Sequence, residues 1–315
     1  MFKRIMDEKP EVMSKIYIVT GDLMTPNLGL NEADLKRVTQ NTEVMFHLAA
    51  TLKLEETLKP AIQMNLTGTQ HTLDVAKQMK KLLQMVHTST AFCNPDQDIL
   101  YEKVYEHPDK PADLIRCAEW MSESAMGAMQ EKIVGKCTNT YIYTKRLAEI
   151  LVNDQYKNLE VCMVRPGIVT PAVSEPIPGW VDSLNGPMGI MIAGTKGVLR
   201  SMLVDKKAKA EVIPVDTAIN AIIIVAKVHA NQTERPTVMP VYNLSVHESK
   251  KLTLGEMFGT FKKIGREIPF TGSLWYPNGE PTLNVYVHAI NVFFFQLIPA
   301  YLIDFLFFCT GQKRL

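Results

Sequence analysis

The chain is poor in the residues that build metal centres and disulfide frameworks. Its 315 residues include five cysteines, Cys93, Cys117, Cys137, Cys162 and Cys309, an odd number with no Cys-x-x-Cys spacing. That excludes a cysteine zinc site and a disulfide scaffold, and it fits a reducing compartment. His47, His87 and His247 stand apart in sequence, without triad or metal-ligand spacing, so each is assigned a structural role and no metal is expected. Charge of one sign is also scarce. The formal net charge is +1, and no long basic patch with interleaved aromatics occurs, which leaves no footprint for nucleic acid. The charged start, residues 1–14, lacks the apolar core of a secretory signal. Sequons at Asn65, Asn231 and Asn243 are read as unmodified, since such triplets are frequent by chance and nothing directs them to a lumen. No glycine occurs before Gly21, so the early chain contains no glycine-rich phosphate turn.

What is present reads as an α/β fold. Hydrophobic residues make up 46% of the chain, enough for a substantial core in one large or two ordinary domains. Residues 44–51 form an apolar strand running into small residues, and a helix-like run opens at Asn65 and ends near Met79. A buried strand over 85–92 ends in the hydroxyls of Ser89 and Thr90, where catalytic groups of open α/β sheets gather. A further strand, 159–164, leads to Arg165-Pro166-Gly167, and a last one spans 239–246. Strands alternating with helices imply a parallel sheet. Between them, residues 100–136 read as an insertion whose methionines suit core packing, or an acyl channel. The glycine-rich stretch 179–197 suits a mobile loop. Asp216 is expected to cap the apolar helix 218–228, and Leu254 to open another helix.

The sharpest chemical signal is Tyr141 with Lys145 at the start of a helix-forming run. Four residues apart, they share one helix face. A phenol has an ordinary pKa of about 10, and a neighbouring cation stabilises its phenolate. Hydride arriving at a carbonyl carbon builds negative charge on the oxygen, which a tyrosine hydroxyl can protonate. Ser89 or Thr90 would hydrogen-bond the same oxygen.

The order of motifs is more specific than any one of them. Phe2-Lys3-Arg4 with 8–12, Gly21-Asp22, Leu28-Gly29-Leu30, Phe46-His47-Leu48-Ala49-Ala50, Asn65-Leu66-Thr67-Gly68-Thr69 and His87-Thr88-Ser89-Thr90-Ala91 are followed by Asn139-Thr140-Tyr141 to Lys145, 164–169, Pro214-Val215-Asp216 and 297–304. In this order the chain resembles the extended short-chain dehydrogenase/reductases and, within them, the fatty acyl-CoA reductases of animals. The resemblance implies a Rossmann-like, doubly wound parallel sheet over a reductase domain, 1–251, and a partial helical C-terminal domain, 252–315. It implies NADPH as cofactor and long-chain acyl-CoA as substrate, reduced through an aldehyde to a fatty alcohol. Tyr141, Lys145, Thr90 and Ser89 would be catalytic, with Lys145 also on the nicotinamide ribose. Asp22, Leu48, Ala49, Ala50, Asn65, Tyr141, Lys145, Pro166, Gly167 and Ile168 would contact the cofactor. It also implies attachment to the cytosolic face of the peroxisome or endoplasmic reticulum, and leaves room for a homo-oligomer.

Two departures stand out. Cys137-Thr138 replaces an arginine-proline pair before Asn139, and the family's opening strand, Thr-Gly-x-x-Gly-x-x-Gly turn, helix and second strand have no counterpart before Gly21. The chain is therefore expected to lack its first strand-helix unit and to bind dinucleotide weakly. The apolar segment 285–309 is long enough to cross a bilayer, though His288, Asn291, Gln296, Pro299 and Asp304 interrupt it, and Lys313 and Arg314 would meet lipid headgroups. A reductase for a sterol or sugar-like carbonyl would share Tyr141 and Lys145 but not the tail. A catalytically silent interaction protein would bind no dinucleotide.

Overall fold

The computed structural model describes residues 3–246, 248–273 and 275–311. Phe2, His247, Lys313 and Arg314 lie outside the described residues. The chain forms two compact units, one of residues up to 179 with 213–245, the other of 180–212 with those from 246 onward.

The first unit holds the sheet. Its strands are β1 (Val44–His47), β2 (Gln84–Thr88), β3 (Val161–Pro166) and β4 (Val241–Leu244), lying in that order. Every pair is parallel. A continuous helical run, α1, joins β1 to β2: Leu58–Ile62, a π-helical turn at Gln63–Thr67, then Gly68–Gln78. The passage from β2 to β3 contains helices Pro111–Trp120 and Glu123–Val134 and then α2 (Thr140–Gln155). Helix α3 (Val215–Ala230) lies between β3 and β4.

Strand alternation decides which side chains meet which helix. Met85, Val161 and Met163 face Leu58, Ile62, Leu66, Leu73, Leu147 and Leu151 of α1 and α2. Val86, Cys162 and Val164 point the other way, onto Ile222 and Ala226 of α3. With helices on both faces the cores of the central strands, Met85–Val86 and Val161–Val164, are continuous apolar runs, as a buried parallel sheet requires. The α/β, doubly wound reading holds.

Several elements differ from expectation. The strands expected over 44–51 and 85–92 stop at His47 and Thr88, where the chain leaves the sheet. The segment leading into Gly21-Asp22, read from sequence as a strand end, has no ladder partner among the described residues, and Ile18 is 86% exposed. The stretch 179–197 is not simply a loop, because Pro187–Thr195 is helical, with proline in its first turn where a missing N–H is harmless. Asp216 is not the helix cap. The cap position is Pro214, and the Asp216 carboxylate instead accepts the backbone N–H groups of Val173, Ser174 and Glu175 at 2.8–3.2 Å. Those bonds hold its pKa down at about 2.

The second unit pairs Ser201–Leu203 with Glu280–Thr282 and carries helix Leu254–Glu267, opened by a capping box of Thr253 and Glu256. Gly197 has φ +74°, and a side chain there would strike the Trp275 carbonyl. The tail is one helix, Val285–Cys309, with a π-helical turn at Phe293–Leu297 and no buried residue. Two of its polar interruptions have work to do. His288 Nδ1 lies 3.0 Å from the Ser201 hydroxyl, and Gln296 Oε1 accepts the N–H groups of Arg200 and Ser201. The extra residue of the π turn helps bring His288 and Gln296 to the same side.

Leu147→Ala, in the fully buried layer between α2 and the sheet, is expected to cost about 2–5 kcal/mol in urea denaturation. Ile224→Ala, on the exposed side of α3, should stay within about 0.5 kcal/mol. Asp216→Asn should speed amide exchange at Val173, Ser174 and Glu175 while leaving the β2 and β3 amides protected; unchanged exchange at those three would remove the clamp.

Candidate active site

The site is built where β2, β3 and α2 meet. Asn139 caps α2, its side chain accepting the Ile142 N–H at 2.9 Å, so Tyr141 falls in the first turn and Lys145 and Glu149 follow at intervals of four on the same face. The Tyr141 side chain sits beside Thr90, whose hydroxyl acts to lower the phenol's pKa. Lys145 is buried and its Nζ donates to the Thr88 carbonyl at 2.6 Å. Burial pulls the Lys145 ammonium down to about 8, opposed by the charge of Glu149. Burial also pushes the Tyr141 phenol above its ordinary value, which the neighbouring Thr90 hydroxyl only partly offsets. The expected lowering of Tyr141 by Lys145 is therefore not found. Ser89 is buried in the same loop, beside Cys93.

Beneath these groups lies a polar layer that sequence reading missed. His47 and His87 are not isolated: they occupy the same register position on adjacent parallel strands, with their Nδ1 atoms 3.1 Å apart. Burial, then the Lys145 charge, pulls His47 down to about 3 and His87 well below the usual imidazole value, so the pair is neutral and shares one proton. Arg165, with no exposed surface, donates Nε and Nη2 to the two Glu149 carboxylate oxygens at 2.8 and 2.6 Å. It also reaches the carbonyls of Tyr101 and Lys103. The signals were present. An arginine inside an apolar strand needs a buried anion, and Glu149 continues the Tyr141, Lys145 row.

The residues expected to contact a cofactor are distributed as follows. Leu48 and Ala49 are exposed just past β1, and Ala50 is half-buried. Asn65 sits in the π-helical turn of α1. Its amide oxygen accepts the Thr51 N–H at 2.9 Å and its nitrogen donates to the Thr144 hydroxyl at 3.0 Å, which staples the loop after β1 to α2. Pro166 and Gly167 end β3. The Pro166 carbonyl accepts from Ala91, and the Gly167 N–H bonds Leu244. Ile168 is exposed beside them. Asp22 is held in its own turn, its carboxylate accepting the Met24 N–H and the Thr25 hydroxyl. Ser89, Thr90, Tyr141, Lys145, Asn65, Pro166 and Gly167 thus gather at the carboxyl ends of β1 to β3, with Lys145 bound to the Thr88 carbonyl, Asn65 linked through Thr144 to the Tyr141 carbonyl and Pro166 to Ala91, and Asp22 has no described bond to these groups. That edge is where parallel α/β sheets receive ligands. The donor set suits a nicotinamide ribose, since the Thr88 hydroxyl is buried without a partner among the described residues and Lys145 has one described acceptor for its three protons.

A sequence profile described as male sterility protein matches residues 1–222. Fatty acyl-CoA reductase 1 of Mus musculus is 35% identical over 317 residues, 99% of this chain and 60% of that protein. Fatty acyl-CoA reductase 2 of Mus musculus is 37% identical over 319 residues, again 99% of this chain and 60% of that protein. The chain thus spans 60% of the length of these relatives. Among solved structures, the terminal R domain of the myxalamid PKS-NRPS pathway superposes with a TM-score of 0.58 at 20% identity, covering 81% of this chain and 56% of that one. UDP-glucuronic acid 4-epimerase from Bacillus cereus, in complex with NAD, gives 0.57 at 16% identity over 87% of this chain and 72% of that one. These two similarities concern the fold. With the profile matched over most of its length and animal fatty acyl-CoA reductases aligned along nearly all of it, the chain belongs to the male sterility protein family.

Proposed function

We propose that the protein reduces a long-chain acyl-CoA to a fatty alcohol with NADPH, in two hydride transfers separated by an enzyme-held aldehyde. The observation that carries this reading is the placement of Tyr141 beside Thr90, on the α2 face that also carries the buried Lys145, in a chain aligned along nearly its whole length with fatty acyl-CoA reductases. Leu48, Ala49, Ala50, Pro166, Gly167 and Ile168 would line the cofactor, with Asn65 fixing the loop after β1 and Asp22 at the far end. Bound there, NADPH supplies hydride. Reduction of the thioester releases CoA thiolate, and reduction of the aldehyde needs a proton on its oxygen.

That proton comes from Tyr141. Its raised pKa keeps the phenol protonated at neutral pH, and Thr90 beside it would hydrogen-bond the same carbonyl oxygen. Lys145, held by the Thr88 carbonyl, offsets the charge left on the phenolate and meets the ribose hydroxyls. Ser89 stands behind Thr90. The reductase chemistry is assigned to residues 1–251 and membrane contact to 252–315. The 25-residue helix Val285–Cys309, with mean hydropathy 2.0 over its most apolar 18-residue window and no buried side chain, supports membrane contact, which we assign to the cytosolic face of the peroxisome or endoplasmic reticulum from the family resemblance. At about 1.5 Å per residue it is longer than a hydrocarbon core of about 30 Å.

Tyr141→Phe should lower acyl-CoA turnover at least about a hundredfold with the fold retained, by loss of general acid catalysis. Turnover near that of the parent would remove Tyr141 from the mechanism. Thr90→Val should lose more than Ser89→Ala. Turnover should also decline above pH about 8, where Lys145 sheds its proton. Stability runs the other way. Because the folded protein binds this proton more weakly than the unfolded chain, the Lys145 contribution to stability rises with pH between about 8 and 10.5. Deleting residues 285–309 should abolish co-flotation with phospholipid vesicles; a truncated chain that still floats would place the membrane contact elsewhere.

A further inference from the structure

The third residue in the Tyr141, Lys145 row has no part in the proton transfer. Glu149 is 1% exposed. One carboxylate oxygen accepts Arg165 Nε at 2.8 Å and the Cys93 thiol at 3.0 Å, and the other accepts Arg165 Nη2 at 2.6 Å. Cys93 in turn accepts from the Asn94 amide and lies three residues beyond Thr90, in the loop that leaves β2. Arg165 directly precedes Pro166 and Gly167 and binds the carbonyls of Tyr101 and Lys103. One buried carboxylate therefore ties helix α2 to the Thr90 loop, to the end of β3 and to the segment 101–103. Stability alone does not account for such a pair, since well-packed apolar residues in its place are often neutral or stabilising.

We propose that Glu149 is a positioning residue for the chemistry assigned above: through Cys93 and Arg165 it sets the Thr90 loop and the β3 end against the helix carrying Tyr141 and Lys145, and its charge offsets that of Lys145 in a closed interior. The proposal rests on that reading of the site. The groups around Lys145 are few. From β1 and β2 come His47 and His87, both neutral; from the β2 loop comes Cys93, whose thiol burial keeps protonated; from β3 comes Arg165, already bound to Glu149. Among these described groups Glu149 is the one anion.

The test uses the whole chain in detergent micelles, labelled with 13Cε-lysine, with the Lys145 resonance identified by its loss in Lys145→Arg. In Glu149→Gln the Lys145 titration, near pH 8 in the parent, should move down by about one unit, about a tenfold change in the ammonium-to-amine ratio at fixed pH. Glu149→Asp keeps the charge and should restore the parent titration. Should Glu149→Gln alone fail to fold, the double variant Glu149→Gln, Arg165→Met leaves no unpaired guanidinium and carries the same expectation. A Lys145 titration that stays in place in a folded Glu149→Gln or double variant overturns the proposal. Turnover of Tyr141→Phe, measured in parallel, separates the two readings. Parent-level turnover there withdraws the tyrosine assignment, while the NMR titration still decides whether Glu149 governs Lys145.

Discussion

An arginine without exposed surface must be neutralised inside the protein, and the arrangement around Arg165 follows from how that is done. Its guanidinium fork takes both oxygens of Glu149, and its remaining donors take the carbonyls of Tyr101 and Lys103. Removing one member of such a pair leaves a bare charge in a low-dielectric interior, a loss of about 3–5 kcal/mol. The geometry is thereby constrained from several sides. Helix α2 cannot slide along the sheet without breaking the fork, and the insertion after β2 cannot lift off without stranding the guanidinium. Tyr141 and Lys145 inherit that fixity because they share the α2 face with Glu149.

The same cluster explains why both histidines are neutral. Lys145, Glu149 and Arg165 together carry one net positive charge in the interior, so a protonated imidazole beneath them would add a second without a partner. His47 and His87 resolve this by hydrogen-bonding each other across the β1–β2 register. The charged groups at this depth are all paired, whereas the Nε2 atoms of both histidines and the hydroxyls of Thr88 and Ser89 are buried without a partner among the described residues. Asn65 follows the same logic one layer up: both ends of its amide are used, and the π-helical turn that presents it is the irregularity often found in helices beside functional sites.

Much of the architecture could be read from pattern alone. The strand cores around Met85–Val86 and Cys162–Met163 are continuous apolar runs, and the helix carrying Tyr141 begins at the asparagine that caps it. What pattern could not supply was pairing across the sheet. Nothing local says that His47 will stand opposite His87, because register depends on how two distant strands align. Nor does it say that Asp216 will hold the backbone at 173–175, since a carboxylate two residues into a helix looks like a cap from sequence. The glycine-rich stretch 179–197 misled for a related reason. Its glycines suggest mobility, yet Pro187 followed by Met and Ile residues is compatible with a helix once neighbours cover one side.

The ionisation of Tyr141 bears on the direction of the chemistry. A tyrosine that must accept a proton at neutral pH benefits from a lowered pKa, whereas one that must donate needs only to be protonated and aimed. Burial raises Tyr141, and the neighbouring Thr90 hydroxyl opposes this to a smaller extent. In the proposed reduction the cost of the phenolate would arise only after transfer, when Lys145, one helical turn away, would offset it. Lys145 in turn is held near its midpoint at slightly alkaline pH by two opposing influences, burial and the Glu149 charge, with burial the larger. A site tuned in this way is protonated at rest and electropositive where charge will develop, which is the arrangement a carbonyl reduction requires.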